Sequence, residues 1–151
     1  MKTLATIGYE SATVRSFLDA LAEAGTELLV DVRAVASSRR PGFAKTRLTG
    51  NLAEAGIEYL HLRDLGTPAE GRAAARAGKH DEMRSIFLDH LATPAAQDAL
   101  ATLAALVSSG RRVCILCFEA DPAHCHRSLV ADALQALVSA RVLHLTAGIR
   151  D

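Results

Sequence analysis

Short apolar runs recur along the chain, and each but the last is followed by a stretch with helical spacing. The runs are "TLATIGY" (3–9), "ELLVDVRAV" (27–35), "IEYLHLRDLG" (57–66), "RRVCILCFEA" (111–120) and "RVLHLTA" (141–147). They are rich in β-branched and aliphatic residues, as expected of strands covered on both faces. After the first run, Val14, Phe17, Leu18 and Leu21 repeat at helical spacing and Gly25 closes the pattern. A second helix is expected over 44–56 and another over 125–140. Between 67 and 110 the pattern predicts two helices that divide near Thr93 and Pro94, with Thr93 as N-cap and Pro94 at the first helical position. Alternation of this kind predicts an α/β fold: a single three-layer domain over residues 1–151, with a mostly parallel sheet of about five strands and helices on both faces.

Charge and composition exclude several classes. The formal net charge is zero, so no global field draws the chain to nucleic acid or to a membrane surface. The opening "MKTLATIGYE" lacks the apolar core of a signal peptide. No apolar run approaches the ~18 residues of a membrane span. The cysteines, Cys114, Cys117 and Cys125, are odd in number and crowded, which makes a poor disulfide framework. The expectation is a cytoplasmic protein with reduced thiols and no membrane partner.

The unusual polar residues gather where the strands end. Tyr9 and Glu10 follow the first strand, and Asp31 and Arg33 close the second, ahead of Ser38, Arg39 and Arg40. His61, Arg63 and Asp64 close the third; Glu119, Asp121, His124, Cys125, His126 and Arg127 follow the fourth. In a parallel sheet these positions converge on one rim, where α/β proteins bind ligands. From Val32 to Ala53 the cations Arg33, Arg39, Arg40, Lys45 and Arg47 occur with no acidic residue, a local positive patch in a neutral chain. Arginine suits bidentate recognition of phosphate or carboxylate.

The blocks "TIGYES", "LLVDVRAVASSRRPGF", "AGIEYLHLRDLG", "CFEADPAHCHRSLVADAL" and "VLHL" together resemble, in order, the family known as domain of unknown function 488. The resemblance runs from about Thr3 to Leu145, and its most specific mark is Cys117, Glu119, Pro122 and the triplet Cys125-His126-Arg127 ahead of a helix. It implies a compact α/β protein and no assigned activity. The motif positions it implies also include Gly8, Tyr9, Glu10, Asp31, Arg33, Ser38, Arg39, Tyr59, His61, Leu65 and Gly66. Arg40, Cys114 and residues 67–85 fall outside the pattern.

Several chemistries compete at the fourth strand. Cys114 and Cys117 form a C-x-x-C, but residues three apart on a strand point to opposite faces and cannot share an ion. Cys125 sits at an expected helix N-terminus, where the helix dipole, His126 and Arg127 would favour a thiolate. The Cys-x5-Arg spacing of thiol phosphatases is absent, because Ala131 lies where the arginine would be. Glu119 with His61 or His126 would move protons, or Glu119 would pair with Arg127 or Arg33. Asp31 is expected to orient an arginine or hold a backbone amide.

The resulting expectation is an enzyme or sensor that binds a phosphate-bearing ligand such as a nucleotide, a nucleic-acid end or a phosphometabolite. Cys125, Glu119, His61 and His126 are the catalytic candidates. Tyr9, Glu10, Arg33, Ser38, Arg39 and Arg127 are the substrate-binding ones. No metal ligand is assigned and the cofactor is unknown. The alternatives are a nucleic-acid-binding module without catalysis, and a metal-dependent enzyme using Cys117, Cys125 and His124 or His126, with His61 as a further candidate.

Overall fold

A computed structural model of the chain describes residues 2–148. Met1 and residues 149–151, the ends of the expected domain, lie outside the described residues. The strands are β1 (Lys2–Gly8), β2 (Leu28–Asp31), β3 (Glu58–His61), β4 (Val113–Cys117) and β5 (Ala140–His144). The helices are α1 (Val14–Glu23), α2 (Lys45–Glu54), α3 (Ala69–Arg76), α4 (His80–Leu91), α5 (Pro94–Ser108) and α6 (His126–Gln135). The five strands form one sheet in the order β3-β2-β4-β1-β5, and every pairing is parallel.

Strand alternation sorts the core into two layers. Leu4, Val30, Ile115 and Cys117 face the layer that holds Ala74 of α3, Phe87 of α4, Leu103 of α5 and Val130 of α6. Ile7, Leu29, Cys114 and Leu116 face the opposite layer, with Phe17 and Leu21 of α1 and Leu48 and Leu52 of α2. Cys114 and Cys117 therefore point to opposite faces, as the strand period requires. The segregation of helices follows from right-handed crossovers. Connections from β1 to β2 and on to β3 run one way along the sheet, and those from β3 to β4 and on to β5 run back.

Two expectations need adjusting. β3 and β5 are only half-buried along their length, because they are the sheet's edges. The helical stretch expected over 69–91 is two helices, broken where Gly78 takes φ +76°, the left-handed conformation that ends α3. The other division stands as expected: the Thr93 hydroxyl accepts from the Ala96 amide at 3.4 Å and Pro94 opens α5. Among the described residues no helix is long and apolar enough to cross a membrane.

The strand order creates the site. β2 hands its chain to α2 on one layer, whereas its neighbour β4 hands its chain to α6 on the other. Adjacent strands whose connections leave in opposite directions open a crevice at their carboxyl ends.

Candidate functional site

A cavity of about 520 Å³ occupies that crevice. Tyr9 enters from the end of β1, Arg33, Ala34, Val35, Ser37 and Ser38 from the stretch after β2, and Cys117, Phe118 and Glu119 from the end of β4. His124, Cys125 and His126 close it at the start of α6, and Arg72 and Arg76 of α3 stand across from them. The volume lies in the range of small-molecule sites.

The floor beneath Tyr9 is a closed polar network. Asp31 is fully buried and accepts from the Arg33 amide at 3.0 Å, from Arg33 Nη2 at 2.7 Å and from the Tyr59 hydroxyl at 2.6 Å. Arg33 Nε also donates to Asp31 Oδ1 at 2.9 Å, while Nη1 donates to the Phe43 carbonyl at 2.8 Å and to the Tyr9 hydroxyl at 3.2 Å. Burial alone would lower the Arg33 pKa, but the hydrogen bonds and charge of Asp31 outweigh it and hold the guanidinium protonated. Burial, reinforced by the Asp31 carboxylate, raises the Tyr59 pKa. Asp31 thus orients an arginine and holds a backbone amide, the role expected of it. Tyr9 stacks on Phe43 with ring centroids 4.7 Å apart and meets Phe118 edge-on at 5.3 Å.

Arg127 is likewise turned inward. It is fully buried, with Nε donating to Thr6 Oγ1 at 3.1 Å and Nη2 to the Ala120 carbonyl at 3.1 Å. Nη1 donates to the Glu119 carbonyl and faces Cys117 Sγ at 3.6 Å. No carboxylate pairs with it among the described residues, and burial lowers its pKa. The arginine therefore clamps the backbone after β4 instead of pairing with the Glu119 side chain. Gly8 permits the clamp, since a Cβ there would stand 1.8 Å from the Glu119 carbonyl oxygen. Glu10 secures the same loop, accepting from the Ala120 amide at 3.0 Å.

Cys117 ends β4 and Cys125 is the N-cap of α6, and the two sulfurs are joined as a disulfide. The expectation of reduced thiols holds for Cys114 alone, which is buried on the other face and whose pKa burial raises. The reason is tertiary: the short turn through Pro122–His124 folds the start of α6 back onto the end of β4. His126 is buried, and Nε2 lies 2.7 Å from the Val32 carbonyl, so that nitrogen carries the hydrogen. Burial depresses its pKa to about 4, so the ring is neutral and adds no positive charge beside Cys125. Its Nδ1 faces Cys125 Sγ at 3.8 Å. The ligand atoms of Cys117, Cys125 and His126 all lie within 4.8 Å of one another.

The remaining expected residues divide. Glu119 lines the cavity, and burial, then the neighbouring Glu10 charge, raises its pKa. Ser38 lines it too, its Oγ accepting from the Arg40 amide at 3.1 Å. His61 Nε2 donates to the Arg33 carbonyl at 2.7 Å, and the ring is outside the cavity wall, so it does not meet Glu119 there. Arg39 is exposed and also outside the wall. His124 stacks on His80 with ring centroids 4.0 Å apart.

Sequence reasoning missed the two cations that do face the cavity from α3. Arg72 donates to the Thr67 carbonyl at 2.9 Å through Nη1 alone, and Arg76 is exposed. They were legible as a pair four residues apart on one helix face, but α3 lies in the segment outside the resembling blocks. Val35 and Phe118, at 54% and 45% exposure, are large apolar side chains left open in the cavity wall.

Residues 13–134 match the family model described as Domain of unknown function DUF488. No curated protein and no solved structure matches the chain.

Proposed function

The chain belongs to the DUF488 family, and on that premise we propose that it is an enzyme whose switch-point cavity binds a phosphate-bearing small molecule of the nucleotide class. The observation that carries the reading is the pairing of Arg72 and Arg76 with the open faces of Phe118 and Val35 around one cavity of about 520 Å³. The two arginines receive the phosphate, with His124 and the hydroxyls of Ser37 and Ser38 beside them. Phe118 and Val35 receive the ring. Arg33 and Arg127, whose donors are spent inside the chain, shape the walls. Tyr9 positions the ligand through its ring. Glu119, whose raised pKa brings it nearer neutrality, is the proton-transferring group.

Calorimetric titration with a nucleoside 5′-diphosphate, its parent nucleoside and inorganic pyrophosphate tests this. The diphosphate is expected to bind, and Arg72→Ala and Arg76→Ala each to weaken it about tenfold or more, the size of a lost charge-assisted hydrogen bond. Phe118→Ala is expected to weaken the diphosphate while leaving pyrophosphate unchanged. Absence of binding, or binding indifferent to both arginines, rejects the reading. Preference for long oligonucleotides with a steep salt dependence points instead to a nucleic-acid module.

A further inference from the structure

We propose that Cys117 and Cys125 in their reduced form, together with Nδ1 of His126, hold one zinc ion whose fourth position opens into the cavity. Four observations converge on it. The three ligand atoms lie within 4.8 Å of one another and all three residues are buried. His126 donates its Nε2 hydrogen to the Val32 carbonyl at 2.7 Å, which leaves the Nδ1 lone pair on the side of the sulfurs. Metal-ligating histidines are oriented by such a bond. The Cα atoms of Cys117 and Cys125 are 7.4 Å apart. That is wider than the ~4.4–6.8 Å usual for a direct disulfide, and it suits two thiolates that meet through an ion at about 2.3 Å from each sulfur. Finally, the buried Arg127 has no carboxylate partner among the described residues and faces Cys117 Sγ at 3.6 Å.

Thiolate and imidazole donors select zinc over magnesium or calcium. Three protein ligands with a fourth position open is the arrangement of catalytic zinc sites. All three residues line the cavity, so the open position faces whatever the cavity binds. Cys114 takes no part, being on the opposite face of the sheet.

Disulfide and ion exclude each other. A dithiol reductant breaks the Cys117–Cys125 bond, supplies two electrons and two protons to the pair and closes its own disulfide. Zinc then displaces the two thiol protons. In reverse, glutathione disulfide takes two electrons from the metal-bound thiolates and two protons from water and leaves as two thiols, while the Cys117–Cys125 bond closes and the freed ion departs.

The test is cobalt(II) titration of the full chain, reduced with a phosphine and kept free of oxygen. One cobalt per chain is expected, with a thiolate charge-transfer band and tetrahedral d–d absorption that zinc abolishes. Cys125→Ser, which puts a favoured N-cap residue at the start of α6, is expected to lose much of the charge-transfer intensity. His126→Ala is expected to weaken binding about tenfold or more. Cys114→Ser, His124→Ala and Arg72→Ala/Arg76→Ala are expected to keep both bands, so loss of phosphate binding and loss of metal binding read separately. Glutathione disulfide is expected to bleach the loaded protein. No band in a reduced chain with native circular dichroism overturns the proposal, as does a band that survives Cys125→Ser at full intensity or disappears in Cys114→Ser.

Discussion

At the scale of single residues, the cations that look most available in the sequence are the ones the fold consumes. Arg33 lies two positions after Asp31, the spacing that puts both on one side of an extended chain, and the two form a buried ion pair at 2.7 Å. That pairing was legible. The fate of Arg127 was not, because its partners are a threonine of β1 and backbone carbonyls after β4, and no side-chain pattern announces a carbonyl. Asp31→Ala would leave Arg33 buried without its anion, and is expected to cost about 3–5 kcal/mol. Tyr59→Phe removes one donor to the same carboxylate and is expected to cost about 1.5–3 kcal/mol. Urea unfolding of the two variants checks the order, and an Asp31→Ala cost below that of Tyr59→Phe would show that the pair is not what holds the floor together.

At the scale of elements, helix ends were readable where a side chain makes the cap and obscure where the backbone does. Thr93-Pro94 is a chemical signature, and α5 begins there. The boundary between α3 and α4 depends on a conformation, since Gly78 adopts φ +76° with open space where a Cβ would be. Gly78→Ala therefore meets no steric neighbour and bears only the backbone cost of the left-handed region, about 1–2 kcal/mol. Thermal unfolding checks this; an unchanged or raised Tm would mean that α3 and α4 tolerate a continuous path. The break also matters for the site, because it lets α3 turn Arg72 and Arg76 toward the cavity while α4 packs Phe87 in the core.

At the scale of the whole molecule, two apolar layers share one sheet. Phe17 fills the α1–α2 side and Phe87 the side of α3 to α6, both with no exposed surface. Each truncation to alanine is expected to cost about 3–5 kcal/mol. Because both layers rest on the same five strands, either variant is expected to unfold in a single transition in circular dichroism and tyrosine fluorescence alike. Transitions that separate in one variant would mean that the layers melt independently. The fold class, the strands and the rim as the place of interest followed from the sequence, since hydrophobic period and strand–helix alternation are local properties that a chain carries in its order of residues. Which rim residues face the cavity was decided by tertiary structure alone. Strand order put β2 beside β4 and so made the crevice, inward hydrogen bonds kept His61 and Arg127 out of it and used up the donors of Arg33 in its wall, and the return of α6 onto β4 brought Cys117, Cys125 and His126 together. Those outcomes depend on contacts between residues distant in the chain, or on backbone groups that every residue shares, and neither leaves a mark in the residue order.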